Sequence, residues 1–505
     1  MRHVRYSTAA VLLLFSAALG AQSPPHAPTS AAISAADVKA RIGFLASDAL
    51  KGRDTPSPGL EMAAAYIANE FKTLGLQPAG DSGTFIQRWL YERRAMSSSR
   101  VGAVLSANDW KRPLKYLEEF FVIPGQQDSV SGAIFYAGVA SARPGALPAA
   151  ARGQILAFYI PGKTVDEAWI GAIRGTLPGT ERSEPKAILL LLDPEFAKDQ
   201  ISFLATNAQG QDGPVPIAGV SYEAAKAWFA QAGMNLDEVR ARTAPDAAVG
   251  TATVTITAGI ESEAAHPPNV VGILPGSDPA LRDTYVVFSA HMDHVGVGAP
   301  NAKGDSIFNG ADDDASGTSA VLELAQAFAA LPAAQRPKRS LIFLTVSGEE
   351  KGLFGSKHFV EHPPVPASKI VANINIDMIG RNHPDTVVAI GQEYTTLGSI
   401  AQQVRTAHPE LKLVVAPDLW PQEQLFVRSD HFNFAAKNIP AIFFTTGLHA
   451  DYHQPSDQVE TIDTEKLARI AQLIFHLGQS IATNAQAPTW TEQGKALMKA
   501  FTGNE

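Results

Sequence analysis

The chain has 505 residues, 45% apolar and 18% charged, the balance of an ordinary globular protein and not of a disordered or fibrous one; the length allows more than one domain. A net charge of -9 with no long basic run argues against nucleic acid or an anionic membrane as a partner. With 13 His and no Cys, disulfides, thiolate zinc sites, cysteine catalysis and a lipid anchor on an N-terminal Cys are excluded, while imidazole chemistry stays open.

In chain order, the first segment reads as an export signal over residues 1–21. Arg2, His3 and Arg5 precede an apolar run from Ala9 to Leu19, too short for a stable membrane span, and Gly20 and Ala21 offer a small-residue cleavage site. The expectation is an exported protein, periplasmic or extracellular, without a stable membrane anchor and ordered from about Ile33. Leu60, Ala64, Ile67, Phe71 and Leu74 recur at three- and four-residue steps, so Gly59–Leu74 is predicted to be an amphipathic helix stopped by Gly75.

Residues 105–258 change character. Short strand-like runs at Gly132–Tyr136, Gln154–Ile160, Ala187–Leu192 and Thr253–Thr257 alternate with turns rich in Gly and Pro, and one helix is expected near Tyr222–Gln231. This stretch reads as a separate β-rich domain. From Asn269 strands and helices alternate. Strands are predicted at Asn269–Leu274, Thr284–Ser289, Ser340–Val346, Val371–Ile376, Thr386–Ile390, Leu411–Ala416 and Ala441–Thr445. Helices are predicted at Ser316–Ala330, Tyr394–Ala407 and Thr464–Thr483. The fold class is α/β, a mixed, mostly parallel sheet layered by helices. Residues 486–505 read as a polar tail.

The chemistry gathers at predicted strand ends, where open α/β sheets bind ligands. His291 and Asp293 follow VVFSA, Glu349 and Glu350 follow LIFLTVSG, and Asp377 follows VANINI. His291 and Asp293, two apart, point to the same side of an extended segment, which suits Asp293 to orient a metal-bound imidazole. His294 is then expected to point away and not to ligate. The loop Gly310-Ala311-Asp312-Asp313-Asp314-Ala315-Ser316-Gly317 packs three carboxylates together, at a cost that divalent metal removes. Asp313 is the candidate bridge between two ions, Asp314 shapes the loop and Asp312 faces solvent. Glu349 and Glu350 diverge, so one can ligate while the other stays free for proton transfer. Asp377, inside INIDMIG, needs a partner or a metal, and His453 in the loop DYHQPSD supplies a second imidazole. Two His and three carboxylates suit two zinc ions. Two Zn²⁺ against Asp313, Glu350 and Asp377, with one bridging hydroxide, sum to zero charge.

In order and spacing these motifs resemble the di-zinc aminopeptidases of peptidase family M28, over about 265–485, and LASDALKGRDTPSPG resembles the family's N-terminal segment. The resemblance implies a zinc-exopeptidase fold, phosphorylase/hydrolase-like, with 33–104 as the first part of the catalytic domain and 259–485 as its main part. It implies that 105–258 is an inserted protease-associated domain, with VPIAGVSYE matching its strand-to-helix turn. It implies that two Zn²⁺ are bound per chain, one held by His291 and Asp377, the other by Glu350 and His453, with Asp313 bridging. Glu349 is then the general base and Asp293 orients His291, while Ser429-Asp430-His431 supports the site. Phe426 stands where some relatives carry an oxyanion-binding Tyr; other relatives use a Tyr directly before the last His ligand, and the resemblance to these implies Tyr452 for that role. The implied activity is hydrolysis of peptide bonds at a free N-terminus through a zinc-bridging hydroxide, with peptide or protein N-termini as substrate. The alternatives are a carboxypeptidase or dipeptidase that reads a carboxylate through Arg428, a glutaminyl cyclase, or a non-catalytic peptidase-like binding protein.

Overall fold

A computed structural model describes residues 32–139, 151–163, 185–196, 200–201, 215–242, 251–301 and 303–502. The expected export signal lies outside the described residues. Among them, no helix is long and apolar enough to cross a membrane. The chain divides into two compact units, one of residues 1–91 and 265–505, the other Glu92–Ala264.

The first unit is built on a nine-stranded sheet. Its strands are β1 (Gln77–Pro78), β2 (Ile86–Arg88), β3 (Pro268–Leu274), β4 (Tyr285–His291), β5 (Ser340–Val346), β6 (Ile370–Ile376), β7 (Thr386–Ile390), β8 (Val414–Ala416) and β9 (Ala441–Thr445). The order is β1-β3-β5-β4-β6-β9-β7-β8, with β2 also on β3. The four central strands β5, β4, β6 and β9 run parallel. The flanking pairs β3–β5 and β7–β9 are antiparallel, which makes the sheet mixed.

Alternation along the strands sends side chains to both faces, each covered by helices. On β5, Leu341 and Phe343 join one core, while Ile342, Leu344 and Val346 join the other. The first face is covered by α1 (Ala35–Leu45), α2 (Pro58–Thr73), α3 (Ala315–Ala329), α5 (Thr396–Ala407) and α7 (Thr464–Thr483). The second is covered by α4 (Phe354–Glu361), α6 (His431–Ala436) and α8 (Glu492–Thr502). The expected polar tail is therefore in large part a helix. Trp490 and Met498 pack into the second core, a short apolar signal that the many polar neighbours mask in the sequence.

Helix α3 is buried continuously from Ala315 to Phe328. Its first turn is made of small residues because it abuts the sheet closely. A Cβ on Gly317 would collide with the carbonyl of Ile376 and the carboxylate of Asp314. The same burial leaves Glu323 inside the protein, where it is paired with Arg41 of α1 at 2.6 Å.

The second unit is β-rich. Its eight-stranded sheet runs in the order 110–113, 102–107, 253–257, 129–139, 155–160, 187–192, 217–220, 120–123. One helix, Tyr222–Gln231, buries Ala225, Trp228 and Phe229. The unit is wider than the stretch 105–258 expected for it, because the paired strands Tyr91–Met96 and Ile260–Ala265 mark its two ends.

Candidate metal centre

The carboxyl ends of the four parallel strands converge on one cleft. His291 is the last residue of β4, Glu349 and Glu350 follow β5, and Asp377 follows β6. Tyr452 and His453 lie in the loop after β9. Asp313 comes from the crossover that enters α3, whose N-terminus lies at the same edge because α3 runs back against the parallel strands.

Asp313 stands between two imidazoles. Its Oδ1 is 3.2 Å from His291 Nε2 and its Oδ2 is 3.1 Å from His453 Nε2. On the His291 side, Asp377 Oδ1 is 3.5 Å from the same Nε2. On the His453 side, Glu350 Oε2 is 3.0 Å from the ring. One carboxylate thus addresses two donor groups with separate oxygens. Donor atoms of His291, Glu349 and Asp377 lie within 4.8 Å of one another, as do those of His294, Asp313, Glu350 and His453.

Two features of this arrangement fit divalent metal. Asp377 Oδ1 and His453 Nε2 are buried without a hydrogen-bond partner, although carboxylates or imidazoles stand a few ångströms away. The cluster is also short of positive charge. Burial works against a charged His453, yet Asp313 and Glu350 push it up to about 10. Burial likewise opposes a charged His291, and Asp377 and Glu349 more than offset it. Burial, with help from Asp430 and Asp377, drives Glu349 well above the ordinary carboxylate range. Protons are retained where cations would otherwise supply the charge.

Glu349 lines the cleft with His291, Asp313 and Asp377, whereas Glu350 faces the two imidazoles. The adjacent glutamates diverge, as neighbours in a tight loop must. The cleft is open to solvent. Met378, Leu425, Phe443 and Leu448 form its apolar walls, with Tyr452 and Arg428 at its polar edge. Tyr452 stacks on His453 with ring centroids 3.9 Å apart. Burial and the surrounding carboxylates raise its phenol far above the usual range, so it stays a neutral donor.

Around the cluster, several carboxylates are held by the backbone or by a neighbour. Asp314 accepts from the amides of Gly317, His291 and Met378, which ties the end of β4 and the loop after β6 to the start of α3. Ser429 donates to Asp377 Oδ2 at 2.8 Å and itself accepts from Asn375. Asp457 accepts from the amides of Asp312 and Asp313, which joins the His453 loop to the acidic loop. Asp430 and His431 are fully buried behind the site. Burial raises Asp430 to about 7 and lowers His431 to about 3.

Three expectations need correction. His294 does not point away: its Nδ1 lies 2.7 Å from Glu350 Oε1. Period-two alternation ends with β4 at His291, so it cannot set the direction of a residue three positions later. Asp312 does not face solvent. It is buried, accepts from the Gly380 amide at 2.6 Å, and lies 3.1 Å from His449 Nε2. The Asp293 carboxylate, expected to orient His291, has other partners. Oδ2 accepts from Thr55 Oγ1 and the Gly348 amide, and Oδ1 is 3.8 Å from His291 Nδ1, close enough for attraction but not for a hydrogen bond. The backbone carbonyl of Asp293, at 3.2 Å, is what meets that nitrogen. Phe426, in place of an oxyanion donor, is buried edge-on against Tyr394 and His431. Sequence reading overlooked Arg53, Thr55, His449 and Asp457. None sits in a periodic pattern, and only the folded loops bring them to the site.

A family model described as Peptidase family M28 matches residues 269–478. Among curated proteins, the chain is 25% identical over 224 residues to a probable leucine aminopeptidase of Arthroderma benhamiae, covering 43% of this chain and 58% of that one. It is 34% identical over 113 residues to a probable zinc metalloprotease of Pyrenophora teres f. teres, covering 22% and 23%. It is 30% identical over 193 residues to leupeptin-inactivating enzyme 1 of Streptomyces exfoliatus, covering 38% of each. The matches thus span less than two thirds of these relatives' length. Among solved structures, the aminopeptidase from Aneurinibacillus sp. strain AM-1 is similar with a TM-score of 0.51 at 19% identity, covering 91% of this chain and 95% of that one. A zinc aminopeptidase from Bacillus subtilis has a TM-score of 0.50 at 17% identity, covering 91% and 98%. At such identities the likeness establishes the fold.

Proposed function

Residues 269–478 match the model of peptidase family M28, and from that premise we propose that the protein is an exported zinc aminopeptidase that removes residues from the free N-terminus of peptides. The observation that carries this reading is the position of Asp313, with one oxygen toward His291 and the other toward His453, inside a cleft that also exposes Glu349. Glutaminyl-cyclase and binding-protein readings gain nothing from the cleft geometry.

His291 and Asp377 would hold one zinc ion, Glu350 and His453 the other, and Asp313 would bridge them. Bound there, the ions would supply Lewis acidity and a hydroxide nucleophile near neutral pH. Glu349 lies in the cleft beside both groups of ligands. Its carboxylate accepts a proton from the attacking water and passes it to the leaving nitrogen as the C–N bond breaks. Tyr452 offers a neutral hydroxyl to the developing oxyanion. Asp293 holds the Gly348 amide and so fixes the turn that aims Glu349. The walls formed by Met378, Leu425, Phe443 and Leu448 suit an apolar first residue. Residues 105–258 are proposed as a protease-associated domain inserted into the catalytic fold.

Glu349→Gln tests the assignment. Turnover of an aminoacyl-nitroanilide is expected to fall by at least ~10²-fold, with zinc content unchanged at about two ions per chain. Persistent activity would remove Glu349 from the role of base. A second reading has its own support: Arg428 lines the cleft, where it could pair with a substrate carboxylate. Faster turnover of an N-blocked dipeptide with a free C-terminus than of the nitroanilide would favour a carboxypeptidase or dipeptidase.

A further inference from the structure

The segment before α2 reaches two of the loops that carry the metal-site carboxylates, the acidic loop and the turn after β5, and the His291 end of β4. Arg53 is fully buried, and its guanidinium donates to four backbone carbonyls without meeting a carboxylate directly. Nε reaches Met292 at 2.8 Å, between His291 and Asp293. Nη1 reaches Asn309 at 2.7 Å and also Leu45, and Nη2 reaches Gly310 at 3.0 Å, where the acidic loop begins. The next residue, Asp54, is paired with Lys351 at 2.7 Å, directly after Glu350. Thr55 Oγ1 donates to Asp293 Oδ2 at 2.9 Å and accepts from the Gly348 amide at 3.1 Å, just before Glu349.

The backbone adopts costly conformations to make these contacts. Lys51, Gly52 and Arg53 have φ of +50°, +67° and +51°, a left-handed run that L side chains rarely adopt. Gly52 fits because a Cβ there would strike the carbonyls of Gly296 and Phe308. Arginine suits the position because its planar, five-donor fork can serve several carbonyls at once, whereas a lysine ammonium is a single point donor on a flexible stem.

We infer that Arg53-Asp54-Thr55 is a clasp that sets the spacing of the His291, Asp313 and Glu349–Glu350 loops, with Arg53 and Thr55 as positioning residues for metal binding and for the general base respectively. The inference rests on the zinc-peptidase reading above. Arg53 governs the ligand loops through Met292, Asn309 and Gly310. Thr55 governs Glu349 through the Asp293 carboxylate oxygen Oδ2 and the Gly348 amide, neither of which is a proposed metal ligand.

The two arms predict different losses. Arg53→Lys keeps the charge but loses the fork, so the metal-stripped variant should bind zinc about tenfold more weakly in competition with a chromogenic chelator. Thr55→Val keeps the shape but loses the hydroxyl. It should bind zinc as the wild type does, while kcat falls about tenfold at unchanged KM, a split that a merely structural lesion would not produce. Wild-type zinc affinity in Arg53→Lys, or wild-type kcat in Thr55→Val, would overturn the clasp. If Arg53→Lys does not fold, the Thr55→Val split alone decides. Failure of the wild-type protein itself to bind zinc would instead overturn the metallopeptidase reading, so the two failures are distinguishable.

Discussion

His294 Nδ1 lies 2.7 Å from Glu350 Oε1, and its ring stands edge-on to His453 at 5.4 Å. The imidazole is therefore in place to orient the ligand carboxylate while His453 meets its other oxygen. Burial and Asp313 work to raise the Glu350 carboxyl, and the two imidazoles more than offset them. Groups that orient a ligand in this way commonly cost ten- to a hundredfold in metal affinity when removed. Under the two-zinc reading proposed above, His294→Ala is expected to weaken one ion about tenfold, leaving the other at wild-type affinity in a two-step chelator titration. Uniform weakening of both ions would contradict this assignment.

Ser429 is the corresponding support on the other half of the site. Its hydroxyl links Asn375 to Asp377 Oδ2 through two bonds of 2.8 Å. Ser429→Ala leaves Asn375 without its acceptor and Asp377 free to rotate. Zinc affinity is expected to fall about tenfold, with the thermal midpoint lowered only slightly. Unchanged affinity would show that Asp377 is held by the backbone alone.

Arg41 stabilises the helical layer. It donates to Glu323 at 2.6 Å, Glu70 at 2.7 Å and Gln326 at 2.9 Å, all within reach of α1, α2 and α3. Arg41→Met strands Glu323 in the core, and loss of one partner of a buried pair costs about 3–5 kcal/mol. Urea unfolding of the single variant should show that loss, and adding Glu323→Leu should recover much of it. A single-variant loss within error of zero would mean the pair contributes no stability.

Lys466 is buried on α7, where its ammonium donates to the carbonyl of Arg381. Burial lowers its pKa from 10.5 to about 8. Between those values the unfolded chain holds more protons than the folded one, so stability from this group rises with pH across that window. The cost of burying the charge is fully present below pH 8. Lys466→Met removes the titration, so the wild type should gain stability relative to the variant between about pH 8 and 10.5. A stability difference that stays constant over that range would rule the titration out.

Much of the first unit was legible from its residues. Strands β5, β7 and β9 and helix α7 lie where their patterns put them, because a strand buried on both faces is a short apolar run and an amphipathic helix repeats every three to four residues. Helices α1, α4 and α6 went unread. The last two are eight and six residues long, too short to display a period. The candidate ligands were legible for a related reason. Charged residues at the ends of apolar strands must end up at one edge of a parallel sheet, so His291, Glu349, Glu350 and Asp377 could be grouped without knowing any distance.

The amino-acid sequence by itself thus determined which elements form and which polar side chains meet at the carboxyl edge of the sheet. Tertiary structure alone decided what each of them faces. Side-chain direction follows a period only inside a regular element, and His294, Asp312, Asp293 and Arg53 all lie in loops whose backbone is set by distant partners. Glu350 meets His294, the Gly380 amide meets Asp312, and Thr55 meets Asp293. Arg53 meets four carbonyls drawn from three separate stretches of chain. Those encounters close loops of tens to hundreds of residues, and no local pattern of residue types encodes them.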